Sequence, residues 1–223
     1  KAVSFHFGLP HPQQIQALKA AGIVTMVSAT NLIEAKAIEA AGIDVIIAQG
    51  IEAGGHRGVF NQAVDSAITT KDLVQLFKAH CHLPIVAAGG IMNGQHAAKM
   101  LNLGANAVQM GTAFIQCKSS NASSAYRKAL FQQPITQITS SISGRPARGL
   151  VNHWHTQVDQ PERPTVPPYP YTYDLAKQLH QTASAQDEHH FAAFWAGTRV
   201  AHIRALEPAD LINLVMLEMK MPS

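Results

Sequence analysis

The sequence predicts an α/β protein made of parallel βα units, of the TIM-type (β/α)8 barrel class, with five strands followed by a helical and loop region. Three observations predict it. Short apolar or β-branched runs alternate with longer helix-like stretches from residue 2 to residue 114, the pattern of strands covered on both faces. The phrases Lys19-Ala20-Ala21-Gly22-Ile23, Glu39-Ala40-Ala41-Gly42-Ile43 and Asn102-Leu103-Gly104-Ala105-Asn106 hold the same place in successive units. Glycine-rich segments follow three of the strands, where barrels of this kind carry their binding loops.

Taken in order, strands are expected over 2–7, 23–28, 45–49, 85–88 and 107–110. Helices are expected over 12–21, 31–41, 71–80 and 95–101, with apolar residues at three- and four-residue spacings such as Leu73, Leu76 and Phe77. Thr30 or Asn31 suits the start of the second helix, Thr70 or Asp72 the third and Asn93 the fourth, while Gly22, Gly42 and Gly104 suit helix C-termini. A closed barrel takes eight strands and about 250 residues. An open doubly wound sheet, for which five parallel strands suffice, is the structural alternative. Beyond Phe114 helices are expected over 122–131, 173–185 and 208–219, with no new strand repeat. Residues 159–173 hold five Pro and three Tyr and are read as an extended, packed loop.

Composition narrows the function classes. Of 223 residues 47% are apolar and 14% charged, enough for one sizeable core and too few charges for a disordered chain. The expected organisation is a barrel portion over 1–116 and a helical and Pro/Tyr-rich region over 117–223, packed together as one structural domain. Formal net charge is +3, and the 17 Lys and Arg are scattered, so nucleic acid is not an expected partner. The two cysteines, Cys81 and Cys117, form no CxxC pair and suggest neither a disulfide framework nor zinc. A reducing, cytoplasmic setting is expected. No apolar run approaches the roughly 18 to 20 residues of a membrane span, and no membrane partner is expected. Residue 1 is Lys and a strand begins at once, so a preceding segment is expected.

Three loops carry the chemistry. Residues 48–58 read Ala-Gln-Gly-Ile-Glu-Ala-Gly-Gly-His-Arg-Gly after the third strand, with four Gly in nine positions that let backbone amides approach a ligand. His56 is the one side chain there whose ordinary pKa suits proton transfer near neutrality, and Gln49 can offer its amide to a heterocycle edge. Ala87-Ala88-Gly89-Gly90-Ile91 and Gln109-Met110-Gly111-Thr112 follow the next two strands. Both place small residues where a phosphate meets amides and a helix N-terminus, which implies a phosphate-bearing cofactor. Neither GxGxxG nor GxxxxGK[ST] occurs. His80 and His82 flank Cys81, and His153 and His155 flank Trp154, but no third ligand is apparent and no metal is expected. Arg145 and Arg148 are read as structural pins or as contacts to the cofactor phosphate.

These segments together resemble the nitronate monooxygenase family over nearly the whole chain. Ser4-Phe5-His6-Phe7-Gly8 is similar to its SFxFG segment, residues 49–58 to its glycine-histidine loop, 84–91 to its PxxAAGGI turn and 109–112 to its QMGT loop. Ser143-Gly144-Arg145-Pro146-Ala147-Arg148-Gly149 and Phe194-Trp195-Ala196-Gly197 match later landmarks. The resemblance implies barrel strands 4 to 8, without the family's first three βα units. It also implies FMN as cofactor and oxidation of alkyl nitronates such as propionate 3-nitronate with O2. In that picture His56 is catalytic; Gln49, Gly54, Gly55, Gly89, Gly90, Gln109, Met110, Gly111 and Thr112 contact FMN; Tyr169, Tyr171 and Tyr173 wall the substrate pocket. A monomer or homodimer is expected. The residues also admit an NAD(P)H-dependent flavin reductase acting on a quinone or enoyl thioester, and a cofactor-binding fragment without turnover.

Overall fold

The computed structural model describes residues 1–132 and 134–221. Five strands, β1 (Ala2–Phe5), β2 (Val24–Ala29), β3 (Val45–Gln49), β5 (Ile85–Ala88) and β6 (Ala107–Gln109), form a parallel sheet in the order β1-β2-β3-β5-β6. Between them run α1 (Pro12–Ala20), α2 (Leu32–Ala40), α3 (Thr70–His80) and α4 (Gly94–Asn102), with the two-residue strand β4 (Gly55–His56) in the longest connection. The chain visits neighbouring strands in sequence and never reverses direction across the sheet. That is the order of consecutive barrel strands, and it removes the doubly wound alternative, whose order reverses at a switch point.

The register explains why the glycine loops begin on one edge. Gln49 lies opposite Ala88 and Ala88 opposite Gln109, so β3, β5 and β6 release their loops from one row. The strands are apolar on both faces, as sheets covered by helices require: Ile46, Ala48, Ile85 and Ala87 are buried with Leu73 and Phe77 of α3. Burying one such side chain contributes about 1.5–3 kcal/mol, set against the cost of ordering it.

Helix ends follow local chemistry. Asn31 and Asn93 accept the N–H of Glu34 and His96, as their side chains suit. The third helix is capped by Thr69, which accepts from Asp72, one residue ahead of the expected Thr70. Gly22, Gly42 and Gly104 take φ of 67, 73 and 110° beyond their helices. Strand β1 stops at Phe5 and not at 7, because Phe7 and Gly8 turn out of the sheet at φ 72 and 128°.

The chain divides into two compact units, Lys1–Ala53 with Arg57–Met110 and Ile212–Ser223, and Gly54–His56 with Gly111–Leu211. The first unit holds the parallel sheet. The second holds α5 (Ser124–Gln132), α6 (Tyr171–Ser184) and a three-stranded antiparallel sheet, β4-β8-β7, with β7 at Thr136–Thr139 and β8 at Ala147–Leu150. This sheet was not expected. Its strands are two to four residues long and pair His56 with Ala147, a contact that no local period announces. A π-helical turn (Trp154–Val158) follows β8, and the Pro/Tyr-rich stretch enters α6 at Tyr171, two residues earlier than expected. The last helix, α7 (Pro208–Glu218), runs from the second unit into the first. Among the described residues no helix is long and apolar enough to cross a membrane.

Candidate active site

In the second unit His56 sits half-buried among aromatic rings. Its centroid is 5.3 Å from Tyr169, 5.5 Å from Tyr173 and 5.5 Å from Trp195. Its Nε2 is 2.9 Å from the Ser143 hydroxyl oxygen. That hydroxyl donates to the Arg145 carbonyl at 3.0 Å and accepts the Arg145 N–H at 3.3 Å. Ser143 thus bridges the His56 ring and the Arg145 backbone, and its hydroxyl can donate to or accept from Nε2 according to the imidazole's tautomer.

Close packing makes this cluster possible. A Cβ on Gly144 would stand 2.3 Å from the Pro167 carbonyl and 2.6 Å from the Tyr169 nitrogen, so only glycine lets the Ser143 turn lie against the Pro/Tyr-rich segment. Gly54 is similarly constrained, with the Ala196 and Gly197 backbone 2.6 Å from a Cβ placed there. Trp195 is fixed by neighbours: its Nε1 donates to the Tyr173 hydroxyl at 3.4 Å, and its carbonyl accepts the Tyr126 hydroxyl. Burial pushes the Tyr126 phenol well above its ordinary value, and its ring stacks on Phe194 at 4.6 Å. Tyr169 and Tyr173 thus meet His56, whereas Tyr171 is 70% exposed and does not.

In the first unit, Gln49 and Arg57 hold the loop around β3. Arg57 is fully buried and donates to the Gly50 carbonyl at 2.7 Å, to Gln49 Oε1 at 3.1 Å and, twice, to the Asp65 carboxylate. The same Gln49 oxygen accepts the Gly58 N–H at 2.7 Å. The Gln49 oxygen therefore serves the loop itself. Glu52 accepts both the N–H and hydroxyl of Thr70, and the Thr70 hydroxyl also lies 3.0 Å from the Gly89 carbonyl, which ties this loop to the Gly89–Gly90 turn. Sequence reasoning missed His6, whose Nδ1 is 3.0 Å from the Ser28 hydroxyl oxygen at the ends of β1 and β2. The signal was its position just past a strand.

The two phosphate-type loops differ. After Gly89 and Gly90, at φ 118 and 66°, the N-terminus of α4 is already engaged: Gly94 N–H donates to Glu218 and His96 N–H to Asn93. The Gly90 and Ile91 amides, by contrast, find no backbone or side-chain acceptor among the described residues. Gly111, in the second unit, has φ −113° and ψ −65°, values open to any residue, and a Cβ there would meet nothing within 4 Å. The backbone does not demand glycine at 111; open space beside it suits close approach of a phosphate-bearing group. Thr112, next in the chain, accepts the Gly197 N–H through its hydroxyl oxygen, while its own hydroxyl hydrogen can turn elsewhere. Gln109 is exposed and Met110 partly so. Among the described residues no group of three or more His, Cys, Asp or Glu is placed to hold a metal ion.

A parallel βα sheet visited in chain order, with glycine loops leaving one strand edge, defines the class: an α/β protein of the TIM-type (β/α) barrel fold. The nitronate monooxygenase family profile matches residues 1–218, and the chain belongs to that family. It is 49% identical over 222 residues to a nitronate monooxygenase of Pseudomonas aeruginosa, an alignment covering 98% of this chain and 63% of that protein. A nitronate monooxygenase of Paraburkholderia phytofirmans is 46% identical, over 98% of this chain and 60% of its own. The chain thus spans less than two thirds of these relatives. Among solved structures, a nitroalkane oxidase from Streptomyces ansochromogenes superposes with TM-score 0.90 at 37% identity, covering 98% of this chain and 63% of its own. FabK from Thermotoga maritima superposes at 0.79 with 27% identity, covering 98% and 68%.

Proposed function

We propose that the protein oxidises alkyl nitronates, propionate 3-nitronate among them, with molecular oxygen, using FMN, and that His56 is its catalytic residue. The observation that carries the reading is the His56–Ser143 contact at 2.9 Å inside a ring of Tyr169, Tyr173 and Trp195. Family membership and the relatives named for nitronate oxidation support it.

FMN fits the residues present. Gly111 leaves open space for its phosphate, the Gly90 and Ile91 amides are donors without protein acceptors among the described residues, and Gly89, Gln109, Met110 and Thr112 complete the two loops. Gln49, Gly54 and Gly55 are assigned to the flavin's other contacts. When bound, FMN supplies the electron acceptor that links the nitronate to oxygen. His56 does the proton and charge work. Protonated on both nitrogens, it donates to the nitronate's anionic oxygens; neutral, it offers a ring nitrogen as base toward the carbon-bound proton of a nitroalkane. Tyr169, Tyr173 and Trp195 present apolar faces that exclude water around that ring.

The test is anaerobic mixing of flavin-loaded protein with propionate 3-nitronate or with NADH, followed by oxygen. Nitronate-dependent reaction and oxygen uptake are expected. Rapid bleaching by NADH with no response to nitronate would instead favour the reductase reading.

A further inference from the structure

We propose that Arg127 is a positioning residue for the phosphate of the cofactor. It shapes the turn that follows Gly111 and Thr112 and keeps a positive charge behind it. The proposal rests on the phosphate-loop reading above and concerns a residue outside the three glycine loops.

Arg127 lies on α5, and its guanidinium is wrapped by backbone. Nε donates to the Ala122 carbonyl at 3.2 Å; one terminal nitrogen donates to Ile115 at 3.2 Å and Cys117 at 2.7 Å. The other donates to the Ser120 carbonyl at 2.8 Å and hydroxyl at 3.1 Å, with the Lys118 carbonyl at 3.5 Å. The grip is reciprocal, because the buried Gln116 amide donates to the Arg127 carbonyl at 2.7 Å. One side chain thus gathers five carbonyls of the turn from Ile115 to Ala122.

Three consequences follow. Ile115 ends the single helical turn Thr112–Phe114, its N–H bonding the Thr112 carbonyl while Phe114 N–H bonds that of Gly111. Holding Ile115 and Cys117 therefore holds Gly111 and Thr112 through two short hydrogen-bonded links. Next, peptides are planar and trans, so each carbonyl turned toward Arg127 sends the following N–H away from it, at Lys118 and Asn121 among others. A cavity of about 570 Å³ in the same unit is bounded by Gly111 and by Ser120, Asn121 and Ser123 of this turn. Finally, a guanidinium stays charged at all accessible pH, and carbonyls solvate that charge without cancelling it. Among the described residues no carboxylate forms an ion pair with Arg127. A cation behind a turn beside Gly111, with no carboxylate paired to it among the described residues, favours a phosphate there.

The experiment measures the Kd of the full chain for FMN and for riboflavin, which lacks the phosphate, by quenching of flavin fluorescence. Wild type is expected to prefer FMN. In Arg127→Gln that preference should fall about tenfold, equal to about 1.4 kcal/mol, with riboflavin binding within twofold of wild type. Arg127→Lys keeps the charge but cannot span the carbonyls, and its preference should also fall, by less than in Arg127→Gln. Equal weakening toward both flavins, or an unchanged ratio in both variants, overturns the proposal. A wild type that binds FMN no better than riboflavin overturns the phosphate-loop reading itself, and this proposal with it.

Discussion

His56 works, on the proposed reading, through a ring held by a neighbour: the Ser143 hydroxyl lies 2.9 Å from its Nε2 and is itself tied to the Arg145 backbone. Replacing His56 by Asn removes the basic nitrogen while keeping a polar group of similar reach. Flavin content should be retained and nitronate turnover should fall by roughly 10²-fold, the scale of lost proton transfer; stopped-flow oxygen uptake checks it, and full turnover would remove His56 from its role. At Gly111 the expectation is different. Because a Cβ there meets open space at an ordinary φ, Gly111→Leu should fold with an unchanged melting temperature yet purify without flavin. An absorbance spectrum with normal flavin loading would refute the assignment of that loop to phosphate.

Elements depend on short-range chemistry that substitution can measure. Thr69 caps α3, accepting the Asp72 N–H and donating to its carboxylate at 2.6 Å. Thr69→Ala should cost about 1 kcal/mol of stability, read as a lower urea midpoint with an unchanged slope. The caps and glycine ends of α2, α3 and α4 were legible because they obey rules spanning three or four residues. The antiparallel sheet was not, since β4 has only Gly55 and His56 and finds its partner at Arg148 and Ala147. The N-terminus of α4 shows the same limit: Glu218, 124 positions away in the chain, takes the Gly94 amide, a contact no local pattern announces.

At the scale of the molecule, pH is the variable that tests packing. Burial pushes the His155 imidazole below its ordinary value, an effect only partly offset by its bond to the Gln137 carbonyl and by the charge of Asp159. Its Nδ1 accepts the Asn152 N–H at 3.3 Å, a bond that protonation abolishes. Burial likewise lowers His180, helped by the charge of His189. For each group the unfolded chain binds a proton that the native state refuses. Stability is therefore full above the ordinary histidine range and is lost as pH falls from about 6.5 through the lowered native values. Melting temperatures should drop between pH 7.5 and 5.5, and His155→Gln should flatten that dependence. An equal slope in the variant would show that His155 does not contribute.

The sequence by itself determined the parallel βα repeat, the helix ends, the edge from which the glycine loops depart, and His56 as the residue to watch. These properties follow from hydrophobic period, backbone freedom and side-chain chemistry within a few residues. Only the tertiary structure decided what surrounds that histidine: Ser143 on its Nε2, Tyr169, Tyr173 and Trp195 around its ring, and Tyr171 turned to solvent. Tertiary structure alone also placed the carbonyls of the turn after Gly111 around Arg127. Such partners lie up to 139 positions from His56 in the chain, as Trp195 does, and meet it through packing of whole segments, for which no local pattern of residues stands as a sign.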